Sequence, residues 1–201
     1  EPITPEKDAK LRTLKARLAN KPLEGAKRLI FTQYADTAKY LYANLNPGDR
    51  LPDVEVIYSG DKSKARVVGR FAPKANPEYR FAKGEAELMT VVATDVLAEG
   101  LNLQDCDNVI NYDLHWNPVR LMQRIGRVDR RLDPTAERQM LTDHPDYTGI
   151  RGKVVYWNFL PPDELDDLLK LYRNVSHKVL RISKTFGIEG KKLLKPDDDY
   201  E

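Results

Sequence analysis

The chain has 201 residues, of which 41% are hydrophobic, so it is long enough to bury one substantial core and favours one main domain with a small extension. Its 33 basic and 31 acidic residues nearly cancel, which excludes a globally basic surface and leaves local clusters of Lys and Arg for any nucleic-acid contact. The single cysteine, Cys106, excludes an internal disulfide and a cysteine-rich zinc site, and it favours a reducing compartment, with the cytoplasm as the default.

Two further features concern the ends of the chain and its hydropathy. No apolar run approaches the roughly 18 to 20 residues that span a bilayer, so we expect no membrane partner. The chain begins at Glu1-Pro2 rather than at Met and stops after an acidic run at 197–199. We therefore expect it to be part of a larger protein.

The first half of the chain alternates helical and strand-like patterns. The predicted elements, in chain order, are a helix capped at Thr4, a strand at 28–33, a helix ending at 47–48, a strand at 54–58, and a basic helix from a turn at 59–61 to about 71. The prolines and weak apolarity at 72–88 predict an irregular insertion.

The second half predicts three more strands and a long helix. The strands lie at 89–94, 108–112 and 153–158, a second irregular insertion lies at 131–152, and a helix opens at 161. Continuous apolar runs suit strands that are covered on both faces, and the alternation of strand and helix predicts a parallel α/β sheet with helices on both sides. We divide the chain into a main domain at 1–160 and a C-terminal helical extension with an acidic tail at 161–201.

The most specific motif is Gln-Arg-Ile-Gly-Arg-Val-Asp-Arg at 123–130. If the segment is helical, Gln123, Arg127 and Arg130 share one stripe at i, i+4 and i+7. The opposite, apolar face consists of Leu121, Ile125 and Val128. Two guanidiniums on one stripe suit a polyphosphate, because arginine stays charged and offers a planar fork of donors. A solvated basic helix with surface ion pairs would carry the same residues.

A second motif, Ala-Thr-Asp-Val-Leu-Ala-Glu-Gly-Leu-Asn-Leu-Gln at 93–104, begins where a buried strand ends. The carboxyl ends of strands are where open α/β sheets bind ligands. Gly100 permits close approach of the backbone to a ligand. The competing interpretation is structural, with Thr94 and Asp95 as a helix cap and Gly100 as an ordinary turn.

These two motifs resemble motifs VI and V of superfamily-two helicases and translocases, in the form used by the Swi/Snf family and its bacterial branch. The resemblance implies a second RecA-like domain, in which Arg127 and Arg130 are arginine fingers that reach a triphosphate held by the other RecA-like domain. It also assigns Gln123, Arg124, Gly100 and Asn102 to the ATP site, with Arg124 linking the two domains.

The resemblance further implies a nucleic-acid surface. The Thr94 hydroxyl and nearby backbone N–H groups would hold a phosphate, and Gln33 and the Ser59-Gly60 turn, in segments that resemble motif IV and the turn after the second strand, would add contacts. The neighbouring basic residues, which could raise the local positive potential or simply be solvated, are Lys62, Lys64, Arg66 and Arg70. The Swi/Snf form implies translocation on double-stranded DNA rather than strand separation.

The chain lacks a Gly-x-x-x-x-Gly-Lys-[Ser/Thr] loop and an Asp-Glu-x-[His/Asp] sequence. ATP and Mg²⁺ are therefore expected to be held mainly by an N-terminal RecA-like domain of the same protein, and the isolated chain is expected to be inactive. No second His or Cys completes a metal site around His144, so we expect none. The competing class is an inert RecA-like module that binds nucleic acid or protein. A DEAD-box half is disfavoured, because Gln123 stands where that family usually has His and Val128-Asp129 replaces its usual Thr-Gly.

Overall fold

The computed structural model describes residues 4–61, 63–95, 102–113, 120, 123–124, 128, 142 and 155–159. At its centre lies a parallel sheet of five strands in the order β2-β3-β1-β4-β5. The strands are β1 (Arg28–Phe31), β2 (Val54–Ile57), β3 (Thr90–Ala93), β4 (Asn108–Asn111) and β5 (Val155–Asn158). Every residue of β3 and β4 is buried, as expected for continuous apolar runs in a sheet covered on both sides.

Among the described residues, three helices cover the sheet from opposite faces. Alternate strand residues point to opposite sides, so the sheet supports two apolar clusters. One cluster joins Ile30, Val92 and Ile110 to α1 (Ala9–Leu18) and α2 (Ala35–Leu45). The other joins Leu29, Val91 and Val109 to α3 (Lys64–Phe71) and to Val128. The predicted α/β architecture with helices on both faces is confirmed.

The first helix begins later than its sequence predicts. Thr4 accepts backbone hydrogen bonds from Lys7 and Asp8 and closes a turn there. The N-cap of α1 is Asp8, whose carboxylate accepts from the backbone N–H of Leu11 at 3.0 Å. Asp is as good a cap as Ser and better than Thr, so the nearer carboxylate starts the helix.

The insertion at 72–88 contains neither helix nor strand, as predicted, but it is firmly attached to the domain. Buried Asp105 accepts hydrogen bonds from the backbone N–H groups of Lys74 and Ala75, both at 2.9 Å. Tyr79 lies directly against Gly69 of α3. Its hydroxyl donates to Glu85 at 2.7 Å.

Most of the sequence predictions for the C-terminal part fall on residues outside those that the structure describes. The helical extension and tail at 161–201 lie outside the described residues, and so does the insertion at 131–152 except for Thr142, which has helical backbone. The boundary at 160 between the two predicted segments therefore stays a prediction.

Candidate functional site at the carboxyl edge of the sheet

The carboxyl ends of the strands meet at one edge of the sheet, and the topology marks a crevice there. The connection that leaves β1 through α2 leads to β2, at one end of the strand order. The connection that leaves β4 leads to β5, at the opposite end. The adjacent ends of β1 and β4 thus form a topological switch point, where open α/β sheets bind ligands.

Three of the predicted nucleic-acid segments form a row along this edge. Ile57 of β2 and Phe31 of β1 both pair with Ala93 of β3, so the three strands end level. The chain leaves them through the Ser59-Gly60 turn, Thr94 and Gln33 respectively. The structure therefore brings these residues, 26 or more positions apart in sequence, to neighbouring strand ends.

The outer member of the row is a tight turn. The backbone N–H of Asp61 donates to the carbonyl of Tyr58 at 3.2 Å, and Gly60 has φ of 89°. This conformation is one that glycine adopts at little cost. Ser59 and Gly60 are both exposed, so their backbone and the serine hydroxyl face solvent at the carboxyl end of β2.

The central member, Thr94, is buried rather than displayed. Its backbone N–H donates to the carbonyl of Ile57 at 3.1 Å, and its Oγ1 atom has no hydrogen-bond partner among the described residues. A buried hydroxyl without a partner is unfavourable, so this atom is suited to gain one. With 5% of Thr94 exposed, the hydroxyl is closed to a ligand in this conformation.

Asp113, which sequence analysis did not single out, fixes the inner member of the row. Its Oδ2 atom accepts from the Thr32 hydroxyl and, at 3.4 Å, from the backbone N–H of Gln33. Its Oδ1 atom accepts from Lys10 Nζ at 3.0 Å, and that ammonium also lies 4.1 Å from the Tyr112 ring centroid. A polar residue directly after a buried strand was the available signal.

Arg124 occupies the centre of the edge and crosses over β1. Its side chain is fully buried, with Nε donating to Asp95 Oδ1 at 2.6 Å and Nη1 donating to Asn111 Oδ1 at 3.0 Å. Nη1 also lies 3.3 Å from the carbonyl of Asp113, and the guanidinium stacks 5.0 Å from the Phe31 ring centroid. Its predicted role in ATP binding stays a prediction, while these contacts hold its own segment to the sheet.

The segment that carries Arg124 is helical wherever it is described. Arg120, Gln123, Arg124 and Val128 have helical backbone. Gln123 is exposed, whereas Val128 is buried in the core cluster that contains Val91, so the predicted inward face is confirmed at this residue. The predicted fingers Arg127 and Arg130, and Gly100 of the predicted ATP site, lie outside the described residues.

Asn102 is attached to a different part of the domain. Its carbonyl accepts from Asn76 Nδ2 at 3.0 Å, and Asn76 lies in the irregular segment that follows α3. The hydrogen bond therefore relates Asn102 to the insertion at 72–88. Its assignment to the ATP site remains untested.

Two of the basic residues expected to raise the potential near the Ser59 turn are engaged in internal ion pairs. Arg70 is buried and donates to Glu55 at 3.2 Å, and exposed Arg66 donates to Glu85 at 2.7 Å. Lys64 is half-buried, and Lys62 lies outside the described residues. The neutralised pairs contribute little positive potential to a nucleic-acid surface.

No cluster of three or more His, Cys, Asp or Glu side chains is placed to hold a metal ion in the parts of the chain that are described. Within the same residues, no helix has the length and apolarity needed to cross a bilayer.

Comparison with known proteins identifies relatives of this fold and sequence. The chain is 54% identical over 44 residues to the uncharacterized ATP-dependent helicase YqhH of Bacillus subtilis, which is 22% of this chain and 8% of that protein. It is 30% identical over 112 residues to the ATP-dependent DNA helicase mph1 of Sclerotinia sclerotiorum, which is 56% of this chain and 9% of that protein. The chain thus spans less than a tenth of either relative.

A solved structure agrees on the fold. The C-terminal domain of the DEAD-box protein Dbp5 superposes with a TM-score of 0.52 at 22% identity, covering 94% of this chain and 84% of that domain. Residues 9–131 match the family described as helicase conserved C-terminal domain. Because this match covers more than half of the 201 residues and the parallel sheet agrees with it, the chain belongs to the helicase conserved C-terminal domain family.

Proposed function

We propose that this chain is the second RecA-like half of an ATP-dependent, Swi/Snf-type translocase that acts on double-stranded DNA. The observation that carries the proposal is the row of Gln33, Thr94 and the Ser59-Gly60 turn at level strand ends, beside a helical segment anchored by Arg124. Family membership supplies the helicase context. The Swi/Snf type and the duplex substrate rest on the motif resemblance.

The size of the row suits a nucleic-acid backbone. Neighbouring strands lie about 4.8 Å apart, so three strand ends span about 10 Å. This length equals the axial rise of about three nucleotides in one strand of B-form DNA. Contacts from a serine hydroxyl, backbone N–H groups and a glutamine amide position the protein on phosphates without reading sequence.

Arg127 and Arg130 are proposed as arginine fingers. On a continuous helix their spacing from exposed Gln123 would give the three residues one stripe, away from buried Val128. Each guanidinium would stabilise the charge that develops on phosphoryl oxygens during hydrolysis. In this proposal ATP and Mg²⁺ are held mainly by the N-terminal RecA-like domain of the same protein, so the isolated 201-residue chain does not hydrolyse ATP above buffer.

The decisive experiment measures DNA-stimulated ATP hydrolysis by the full-length protein. Arg130→Ala should lower the stimulated kcat by about 10³-fold or more, because removing an arginine finger costs that much in related phosphoryl transfer. Arg12→Ala is the matched control, because Arg12 is an exposed arginine of α1. Unchanged stimulation in Arg130→Ala would refute the finger assignment.

A second experiment tests the substrate and the competing function. Duplex DNA, single-stranded DNA and duplex RNA are compared as activators, and duplex DNA should give the largest stimulation. Gln33→Ala should raise the half-activating DNA concentration. If no nucleic acid stimulates hydrolysis and the full-length protein has no ATPase, the chain is an inert RecA-like binding module instead.

A further inference from the structure

Arg124 is the largest side chain in the described structure that is fully closed to solvent. Burying a guanidinium is costly unless its charge is paired and its donors are used. Here Nε and Nη1 are used, by Asp95 at 2.6 Å and by Asn111 at 3.0 Å, while Nη2 is buried with no partner among the described residues. A residue this costly to bury calls for a specific role.

The partners of Arg124 lie next to the proposed nucleic-acid contacts. Asp95 directly follows Thr94 at the end of β3, and Asn111 lies in β4 two residues before Asp113, which holds the backbone of Gln33. Asn111 in turn donates to Asn158 of β5 at 2.7 Å. One guanidinium therefore connects the ends of β3 and β4 across the Phe31 ring of β1.

In sequence, Arg124 lies close to the two proposed arginine fingers. It precedes Arg127 and Arg130 by three and six residues. The guanidinium is a rigid planar fork, so it transmits a displacement of the strand ends better than a flexible single-point contact does. The guanidinium is directed toward the sheet and has no exposed surface, which argues against contact with ATP.

We propose that Arg124, paired with Asp95, is a positioning residue that sets the finger segment against the nucleic-acid edge of the sheet. It touches neither nucleotide nor nucleic acid. A rearrangement that frees the Thr94 hydroxyl for a phosphate shifts Asp95, and Arg124 passes the shift to the segment of Arg127 and Arg130. This inference rests on the proposed function and assigns the coupling step within it.

The chain contains a matched control for this ion pair. Arg70 is also a buried arginine, 5% exposed, that donates to a partly exposed carboxylate, Glu55, at 3.2 Å. This pair connects β2 to the insertion through the carbonyls of Pro52 and Ala86. Glu55→Gln therefore removes one of the two carboxylates that pair with a buried arginine outside the helical segment of Arg124.

The test uses the full-length protein with four readouts, which are the thermal midpoint, the Kd for duplex DNA, the KM for ATP and the DNA-stimulated kcat. Asp95→Asn keeps the shape of the side chain and removes its charge. It should lower the stimulated kcat by about 10-fold, within the range of typical coupling between sites, and leave KM and Kd within about twofold. Glu55→Gln should lower the thermal midpoint without lowering the stimulated kcat per folded molecule.

Arg124→Lys and Asp95→Glu extend the test should Asp95→Asn fold poorly. Each keeps the charge but changes the geometry, so each should give a smaller loss of stimulated kcat at nearly unchanged KM. A rise in the KM for ATP of about 10-fold at unchanged kcat in Arg124→Lys would show that Arg124 binds the nucleotide. Wild-type stimulated kcat per folded molecule in all three variants would show that the pair is structural only.

The failure of this inference can be distinguished from the failure of the proposed function. A wild-type protein without DNA-stimulated hydrolysis, or one insensitive to Arg130→Ala, refutes the proposed function and removes the basis of the coupling. A stimulated wild type that loses activity in Arg130→Ala but keeps it in Asp95→Asn refutes only the role of Arg124.

Discussion

The substitution Gly69→Ala adds a single methyl group, and the structure shows which atoms this group would meet. Gly69 lies inside α3 and is buried under Tyr79 of the irregular insertion. A methyl group at this position would meet the Tyr79 Cγ and Cδ2 atoms at 2.2 Å and its Cβ atom at 2.8 Å. Because these atoms lie at the base of the tyrosine, the clash cannot be relieved by moving the tip of the ring, and Gly69→Ala must displace the backbone near Tyr79.

The expected cost follows from the geometry. Forcing an extra methyl into a packed contact costs about 1–3 kcal/mol in the free energy of unfolding. For a chain of this size each kcal/mol moves the thermal midpoint by about 2–4 °C, so Gly69→Ala should lower it by about 2–12 °C. Displacement of Tyr79 would also strain its hydrogen bond to Glu85. Urea unfolding followed by circular dichroism measures the loss directly.

A double-mutant cycle makes this prediction refutable by its sign. In a Tyr79→Gly background the Cβ, Cγ and Cδ2 atoms that the methyl group would meet are all absent. Alanine has a higher helix propensity than glycine by about 1 kcal/mol. Gly69→Ala should therefore destabilise the wild type but stabilise the Tyr79→Gly protein by up to about 1 kcal/mol. The same destabilisation in both backgrounds would show that Tyr79 is not the cause.

Two further predictions concern titratable side chains. Cys106 is 2% exposed and burial raises the pKa of its thiol, so it should react with a disulfide reagent only in denaturant; rapid reaction in buffer would contradict its burial. The hydrogen bond from the Tyr79 hydroxyl, together with that from the Ala82 N–H, lowers the pKa of Glu85 to about 2. Because the pKa of Glu85 is lower in the folded than in the unfolded state, the wild type should have a larger free energy of unfolding than Glu85→Gln above about pH 4.5. This difference should disappear as the pH falls toward 2. A difference that stays the same at every pH in urea unfolding would contradict the prediction.

The fold was predictable because its signals are local. The central strands β1, β3 and β4 contain uninterrupted apolar runs, and their burial on both faces follows from that pattern. The start of α1 was wrong because two caps, Thr4 and Asp8, compete within four residues, and the pattern of leucines does not discriminate between them. The first four predicted strands extended one or two residues beyond the observed strands. At the end of β1, the Thr32 hydroxyl donates to Asp113 instead of continuing an apolar run.

The site was predictable only in part, because its contacts are distant in sequence. Helical spacing did contain the information that Arg124 faces inward, since it lies four residues before Val128 on the apolar face. Its partner Asp95 is 29 residues away and its placement depends on the sheet order. The pairing of Arg70 with Glu55 was equally hidden, so a helix that is basic in sequence has two of its charges neutralised in the structure.

Arg70 and Arg124, the arginines that are buried in the described part of the chain, suggest how this domain fixes segments that are not part of its sheet. Arg70 holds the insertion at 72–88 through the carbonyl of Ala86 and the carboxylate of Glu85, and Arg124 holds a helical segment through Asp95 and Asn111. An apolar side chain could anchor either segment by burial, but it would tolerate sliding, because hydrophobic contact has no direction. A guanidinium with several fixed acceptors does not tolerate sliding. The insertion is therefore a fixed part of the domain rather than a loose loop, and Asp95 and Asn111 hold Arg124 in one position against the strand ends.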